Sequence, residues 1–180
     1  MIRTLLLLSI GMASAFTGLA QRSLDSRLGM MMPYGDGKTC LLTHSSKVKP
    51  GQRISVIDFD EWNGHRQIIL PAVVGKKNPS GCDDPGGEVP MRAYELRVKS
   101  DDVLLGIAIF PAVRLTRRGR SVRGDVNGDG RVESFRICWS FEGAHLTVWS
   151  GVPLKSKRLW HQYYYAGYDT ESNCTKRDYR

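Results

Sequence analysis

Short runs of β-branched, aromatic and aliphatic residues, separated by turn residues, are the feature that most limits the fold of this chain. Glycine and proline mark the breaks, and no stretch shows an apolar stripe with a 3.6-residue period over the length of a helix. The pattern predicts an all-β protein, a small barrel or sandwich in two lobes with little helix. The predicted strands cover residues 39–43, 53–58, 66–74, 91–98, 103–110, 132–140, 146–149 and 158–165.

The organisation expected along the chain follows from where these runs begin. Residues 21–37 have little periodicity and are predicted to be an irregular lead-in. Residues 38–115 then form a first β lobe, and residues 116–180 form a second one. Neither lobe repeats the other in sequence.

The four cysteines narrow the fold further. Cys40, Cys82, Cys138 and Cys174 are widely spaced, and no Cys-x-x-Cys pair points to zinc or redox chemistry. An even set in an oxidising compartment predicts two disulfides, for which three pairings exist. We favour Cys40 with Cys82 and Cys138 with Cys174, because each bridge then closes one half of the chain. Each would stabilise the fold by roughly 3–4 kcal/mol.

The N-terminus has the pattern of an export signal. Arg3 precedes a short apolar run, and small residues follow, with cleavage sites after Ala15 or Ala20. We favour Ala20, so residues 1–20 are the predicted signal peptide and the protein is predicted to be extracellular or periplasmic. Loss of Arg3 and of no acid lowers the formal net charge from +8 to +7. This excess favours anionic partners, and we expect an anionic polysaccharide or a secreted protein; export argues against nucleic acid.

One short acidic segment in this basic chain has the spacing of a calcium loop. Asp125, Asn127 and Asp129 stand at alternate positions, Gly130 follows at the sixth, and Glu133 at the ninth. Ca²⁺ takes six to eight oxygen ligands, and a glycine allows the sharp turn that gathers them around the ion. The alternative is an Asn-Gly-Asp-Gly hairpin turn that holds no metal.

The residues that flank this loop decide which family it resembles. An EF-hand has a glutamate at position twelve, where this chain has Arg136, and both EF-hands and dockerin modules continue into a helix. The loop more closely resembles the calcium loops of integrin-type FG-GAP repeats, which join two strands. The resemblance covers about ten residues and implies ligation by the side chains of Asp125, Asn127, Asp129 and Glu133 and the backbone carbonyl of Arg131. Those repeats form propellers from several copies, and this chain has one.

Two further groups of residues could carry function. Arg114, Arg117, Arg118 and Arg120 could form an anion-binding stripe, or they could be a solvated connector between the lobes. His145 and His161 are expected on neighbouring strands, with Glu142 close by in sequence; they could bind a metal, act as a base, or be structural.

The function that these observations favour is that of a secreted calcium-binding β-protein with a binding or structural role. No nucleophile motif accompanies the histidines, so we do not assign catalytic residues. The alternatives are a small secreted hydrolase that acts on an anionic polymer, and a secreted inhibitor of an enzyme.

Overall fold

The computed structural model describes residues 24–34, 37–60, 66–82, 91–99, 105–119, 121–165 and 172–179. The predicted signal peptide, residues 1–20, lies outside these ranges. Within them no helix has the length and apolar character needed to cross a membrane. The described residues form these strands: β1 Leu28–Tyr34, β2 Lys38–Thr43, β3 Arg53–Asp60, β4 Arg66–Lys77, β5 Arg92–Val98, β6 Gly106–Ile109, β7 Thr116–Arg118, β8 Ser121–Gly124, β9 Glu133–Ser140, β10 Gly143–Trp149 and β11 Arg158–Tyr165.

Strands β1 to β6 close into a barrel with the order β1-β2-β5-β4-β3-β6, and every pairing is antiparallel. One core cluster fills its interior with side chains that alternate along the strands, among them Met31, Leu41, Val56, Ala108 and Phe110. All five are buried. Closure leaves no free edge in this part of the molecule, which removes a template for aggregation.

Strands β7 to β11 form a second, five-stranded antiparallel sheet with the order β11-β10-β9-β8-β7. One of its faces packs against the outer face of the barrel. A second core cluster joins the two, with Phe135, Leu146 and Trp160 from the sheet and Ile57 and Ile107 from the barrel. The prediction of an all-β protein with little helix is therefore confirmed, and β7 begins where the second lobe was predicted to start.

The prediction of an irregular lead-in over residues 21–37 is wrong for β1, because Leu28–Tyr34 is a strand of the barrel. It pairs with β2 on one side and β6 on the other. Its residues 28–31 are buried whichever way they point, so the alternation that reveals a half-exposed strand is missing. Gly29 also permits a close approach, since a Cβ there would lie 2.7 Å from the carbonyl oxygen of Leu42.

Two disulfides link the chain as predicted. Cys40 on β2 bonds to Cys82, and Cys138 on β9 bonds to Cys174, with Cα–Cα distances of 5.9 and 5.0 Å. The first bridge holds the segment after β4 against the barrel. The second holds residues 172–179 against the second sheet. Two disulfides in one chain are typical of proteins in an oxidising compartment.

Candidate functional site

The acidic loop connects β8 to β9, two neighbouring strands of the second sheet. Asp125 follows the last residue of β8 and organises the turn through both oxygens of its carboxylate. Oδ1 accepts the N–H of Gly128 at 2.7 Å, and Oδ2 accepts the N–H of Gly130 at 2.9 Å. Both glycines have a φ of 80°, a conformation that residues with a side chain rarely adopt. The loop is therefore folded around Asp125.

Asn127 and Asp129 continue this arrangement along the loop. Asn127 Oδ1 accepts the N–H of Asp129 at 2.9 Å, and Asp129 Oδ1 accepts the N–H of Arg131 at 2.8 Å. The side-chain amide of Asn127 also donates to Asp129 Oδ2 at 3.1 Å. Each carboxylate or amide oxygen keeps a second lone pair beyond the hydrogen bond that it accepts. The three side chains are thus oriented by the backbone while they retain the capacity to bind a cation.

Glu133, the ninth residue of the loop, is the first residue of β9 and is only 1 % exposed. Its Oε2 accepts the N–H of Val126 at 2.8 Å across the loop. Burial raises the pKa of this carboxyl above its usual value, and the negative charges of Asp129 and Asp125 raise it further, against the hydrogen bond from Val126. A cation beside these carboxylates would relieve the repulsion among them.

Arg27 is a contributor to the loop that the sequence did not reveal. This residue immediately precedes β1, and its Nη1 donates to the carbonyl oxygen of Val126 at 2.8 Å. Its own carbonyl oxygen accepts the N–H of Phe110, at the end of β6, at 2.9 Å. Arg27 thus ties the loop to the barrel across 99 positions of sequence, and no local pattern could have indicated this contact.

The donor set suits a hard cation, because it consists of carboxylate, amide and carbonyl oxygens. The carboxylate oxygens of the loop, however, do not converge on one point. Over the ranges that the structure describes, no choice of one oxygen from each of Asp125, Asp129 and Glu133 brings all three within 4.8 Å of one another. The chemistry of the residues therefore fits calcium. Direct ligation by all three carboxylates would require side chains to rotate.

The arginines of the predicted anion-binding stripe are spread over two segments. Arg114 is exposed in the connection between the barrel and the second sheet, and Arg117 and Arg118 lie on β7; Arg120 lies outside the described residues. Because neighbouring residues of a strand point to opposite faces, Arg117 and Arg118 do not line one surface. Arg117 Nε donates to the carbonyl oxygen of Gly119 in its own hairpin turn, at 3.1 Å.

The two histidines meet on the face of the second sheet that points away from the barrel. His145 Nδ1 and His161 Nε2 are 2.8 Å apart, and the ring centroids are 5.1 Å apart with 19° between the ring planes. This centroid distance is the N–N distance plus about one ring radius on each side. The two nitrogens therefore point at each other along one line, as in a direct N–H···N hydrogen bond. They do not converge on a third point where a metal ion could sit.

The protonated, cationic form of both imidazole rings is disfavoured. Burial lowers the pKa of His161 to about 4, and the charges of Arg158 and His145 contribute. Burial also lowers the pKa of His145, although Asp178 acts in the opposite direction. Glu142, the third residue of the predicted group, is exposed in the turn between β9 and β10. In the described part of the chain, no hydrogen bond joins either imidazole to a carboxylate.

Residues 172–179 cover part of this outer face. The buried carboxylate of Asp178 receives two hydrogen bonds from the guanidinium of Arg136, at 2.8 and 3.1 Å. Burial alone would raise the pKa of Asp178, but the hydrogen bonds from Arg136 and Thr175 outweigh it and hold this pKa below its usual value. The ring of Tyr179 packs edge-on against His145. Arg136, which occupies the twelfth position of the loop, is thus the partner of Asp178.

Comparison of the chain with family models, with curated proteins and with solved structures gives no match.

Proposed function

We propose that this protein is an exported β-domain in which a calcium ion, bound at residues 125–133, stabilises the junction between the two sheets, and that its role is binding or structural. The observation that carries the proposal is the hydrogen-bonded loop. Hydrogen bonds to the backbone hold the side chains of Asp125, Asn127 and Asp129 within one tight turn. The buried carboxylate of Glu133, at the start of β9, bonds to Val126 in the same loop. A hydrogen-bonded turn alone does not require three carboxylates in nine residues.

The division of roles among the residues follows from their positions. The side chains of Asp125, Asn127 and Asp129 and the carbonyl of Arg131 would hold the ion. Glu133 already accepts the N–H of Val126. It would act through a bridging water, as the residue at position nine of such loops often does. The ion would supply positive charge where carboxylates repel one another.

The position of the loop explains why an ion there would matter for stability. The loop joins β8 to β9, and Val126 within it is buried in the cluster between barrel and sheet. Arg27 fixes the same residue to the barrel. Binding at the loop would therefore favour docking of the second sheet on the barrel, which suits a secreted module that must remain folded outside the cell.

Two disulfides fit export, and so does the hydrophobic N-terminus with its small residues. The histidine pair supports no catalytic proposal, because its nitrogens are directed at each other and no carboxylate among the described residues orients either ring.

The proposal is tested by calorimetric titration with Ca²⁺ and by thermal melting with and without a chelator. We expect one binding site. At a free Ca²⁺ concentration about 100 times the Kd, we expect the folded state to gain about 2.7 kcal/mol. Asp129→Ala should abolish both the heat of binding and the effect of the chelator. Glu142→Ala, which removes an exposed carboxylate outside the loop, is the matched control and should change neither. Identical melting of the unaltered protein with and without chelator would overturn the proposal.

A further inference from the structure

A groove on the outer face of the barrel is separate from the loop and from the histidine pair. Its volume is about 690 Å³, within the range of small-molecule sites, and it is lined by β3, β4, the end of β5 and Ala112. Ile54, Ala72 and Val98 of these strands belong to the barrel interior. Because neighbouring side chains alternate, those between them face outward into the groove.

The floor of the groove is an apolar strip on β4. Ile69, Pro71 and Val73 stand at every second position and face outward, and the strip is about 13 Å long at about 3.3 Å per residue. Proline is tolerated here because the described pairing of β4 with β5 ends at Ala72 and Val98. Among the described residues of the lining, the only hydroxyl is that of Ser55, and it is already satisfied. It donates to the carbonyl oxygen of Val113 and accepts that residue's N–H.

The rim of the groove is positively charged. Val73 is paired with Arg53 on one side and with Arg97 on the other, so a guanidinium flanks each side of the strip. Lys99, which follows the last residue of β5, supplies a third cation. All three are exposed. In the described ranges, Arg53 and Lys99 form no salt bridge, while Arg97 is 3.9 Å from Glu95 with its side chain 68 % exposed.

From this arrangement we infer that the groove binds a small amphipathic carboxylate, with an alkyl chain along Ile69, Pro71 and Val73 and its carboxylate at the guanidinium of Arg53. The apolar strip favours an alkyl chain, because removing apolar surface from water lowers the free energy of the complex. The guanidinium offers paired N–H donors to the carboxylate. A polysaccharide lacks the apolar body that this floor would bury.

The experiment is calorimetric titration of the full protein with decanoate at low ionic strength, with decanol and acetate as comparison ligands. We expect saturable binding of decanoate at one site, binding of decanol at least tenfold weaker, and no measurable binding of acetate. Arg53→Gln should weaken binding of decanoate at least fivefold. Arg118→Gln, which removes an exposed arginine on β7, is the matched control and should have no effect.

A second variant tests the apolar strip itself. Val73→Glu places a carboxylate in the middle of the strip and should abolish binding of decanoate, while a circular dichroism spectrum checks that the protein is still folded. If Val73→Glu does not fold, the affinities of Arg53→Gln and Arg118→Gln for decanoate still test the inference. Equal affinity for decanoate and decanol, equal losses in the two arginine variants, or no saturable binding of decanoate would overturn the inference.

Discussion

The barrel and the second sheet are built from the same kind of strand but are stabilised in different ways. The barrel has apolar side chains inside and, along β1 and β6, apolar side chains outside as well, where the second sheet covers it. The second sheet meets the barrel with an apolar face. Its outer face carries Arg136, His145 and His161, closed by the C-terminal residues with Cys174 and Asp178.

This difference determines how each region responds to its surroundings. Apolar contacts are non-directional and roughly proportional to the area removed from water, so the barrel should be nearly indifferent to pH. A buried polar layer depends on each partner being present, because an unpaired buried charge costs more than the pair contributes. The second sheet should therefore be the region that responds to acid and to cations.

The largest expected effect is the loss of a side chain where the two sheets meet. Ile57→Ala removes a fully buried side chain from the cluster between barrel and sheet and should lower the free energy of unfolding by about 3 kcal/mol. Urea unfolding measures this change. Val132→Ala, at a residue that is 52 % exposed, is the control and should cost less than about 0.5 kcal/mol. A similar loss in both variants would mean that burial between the sheets is not the dominant contribution.

A smaller effect is expected on the polar face. Asp178→Asn removes the charge that receives both hydrogen bonds from Arg136 and should lower the free energy of unfolding by about 2 kcal/mol, the range for hydrogen bonds to charged groups. Urea unfolding at pH 7 measures it, with Glu142→Gln as the control because that carboxylate is exposed. Equal stability of Asp178→Asn and the unaltered protein would show that the charged pair of Asp178 and Arg136 does not stabilise the sheet.

The smallest effect is a dependence of stability on pH. The unfolded histidines have a pKa of about 6.5, and the folded pKa of His161 is about 4, so the unfolded state binds more protons between these values. Stability should therefore fall as the pH is lowered from 7 to 5. In this window Asp178 stays ionised because its pKa is lowered. Burial raises the pKa values of Glu133 and Asp25, so protonation of these two carboxylates acts in the opposite direction.

Melting temperatures at pH 7 and pH 5 check this prediction. His161→Asn should reduce the difference between the two melting temperatures by more than half, because His161 has the larger of the two pKa shifts. Gln162→Asn, a change on the same strand at a residue without an ionisable group, is the control and should leave the difference unchanged. A melting temperature that does not fall between pH 7 and pH 5 would contradict the assignment of the pair as a buried neutral group.

The accuracy of the strand predictions reflects how each strand is buried. Strands with one apolar face toward the barrel, such as β9, were predicted because apolar and polar residues alternate along them in the sequence. Strand β1 was missed because it is buried on both faces and has no alternation to read. Strand β7 was missed because its three residues are all exposed and two are arginines, so it looked like a solvated connector.

The candidate site, like the strands, could be predicted from the sequence only in part. The loop could be proposed from sequence because its ligands lie within nine consecutive residues and its turn depends on glycines at fixed positions. The role of Arg27 could not be proposed, because it depends on the docking of the second sheet on the barrel. The two histidines were expected on neighbouring strands, and they are. Their pairing is diagonal, since His145 lies opposite Tyr163 and His161 lies opposite Thr147, and only this register brings the rings together.

By itself the sequence determined the all-β class and the ligand spacing of the acidic loop, since each depends on local periodicity or on spacing along the chain. It only favoured one of three cysteine pairings, which the structure then showed. The tertiary structure alone decided that the barrel closes through β1, that Arg136 pairs with Asp178, and that Arg53 and Arg97 flank one apolar strip. These features arise where strands far apart in sequence become neighbours. The free energy that selects such neighbours comes from burial shared between them, and no single segment carries that information.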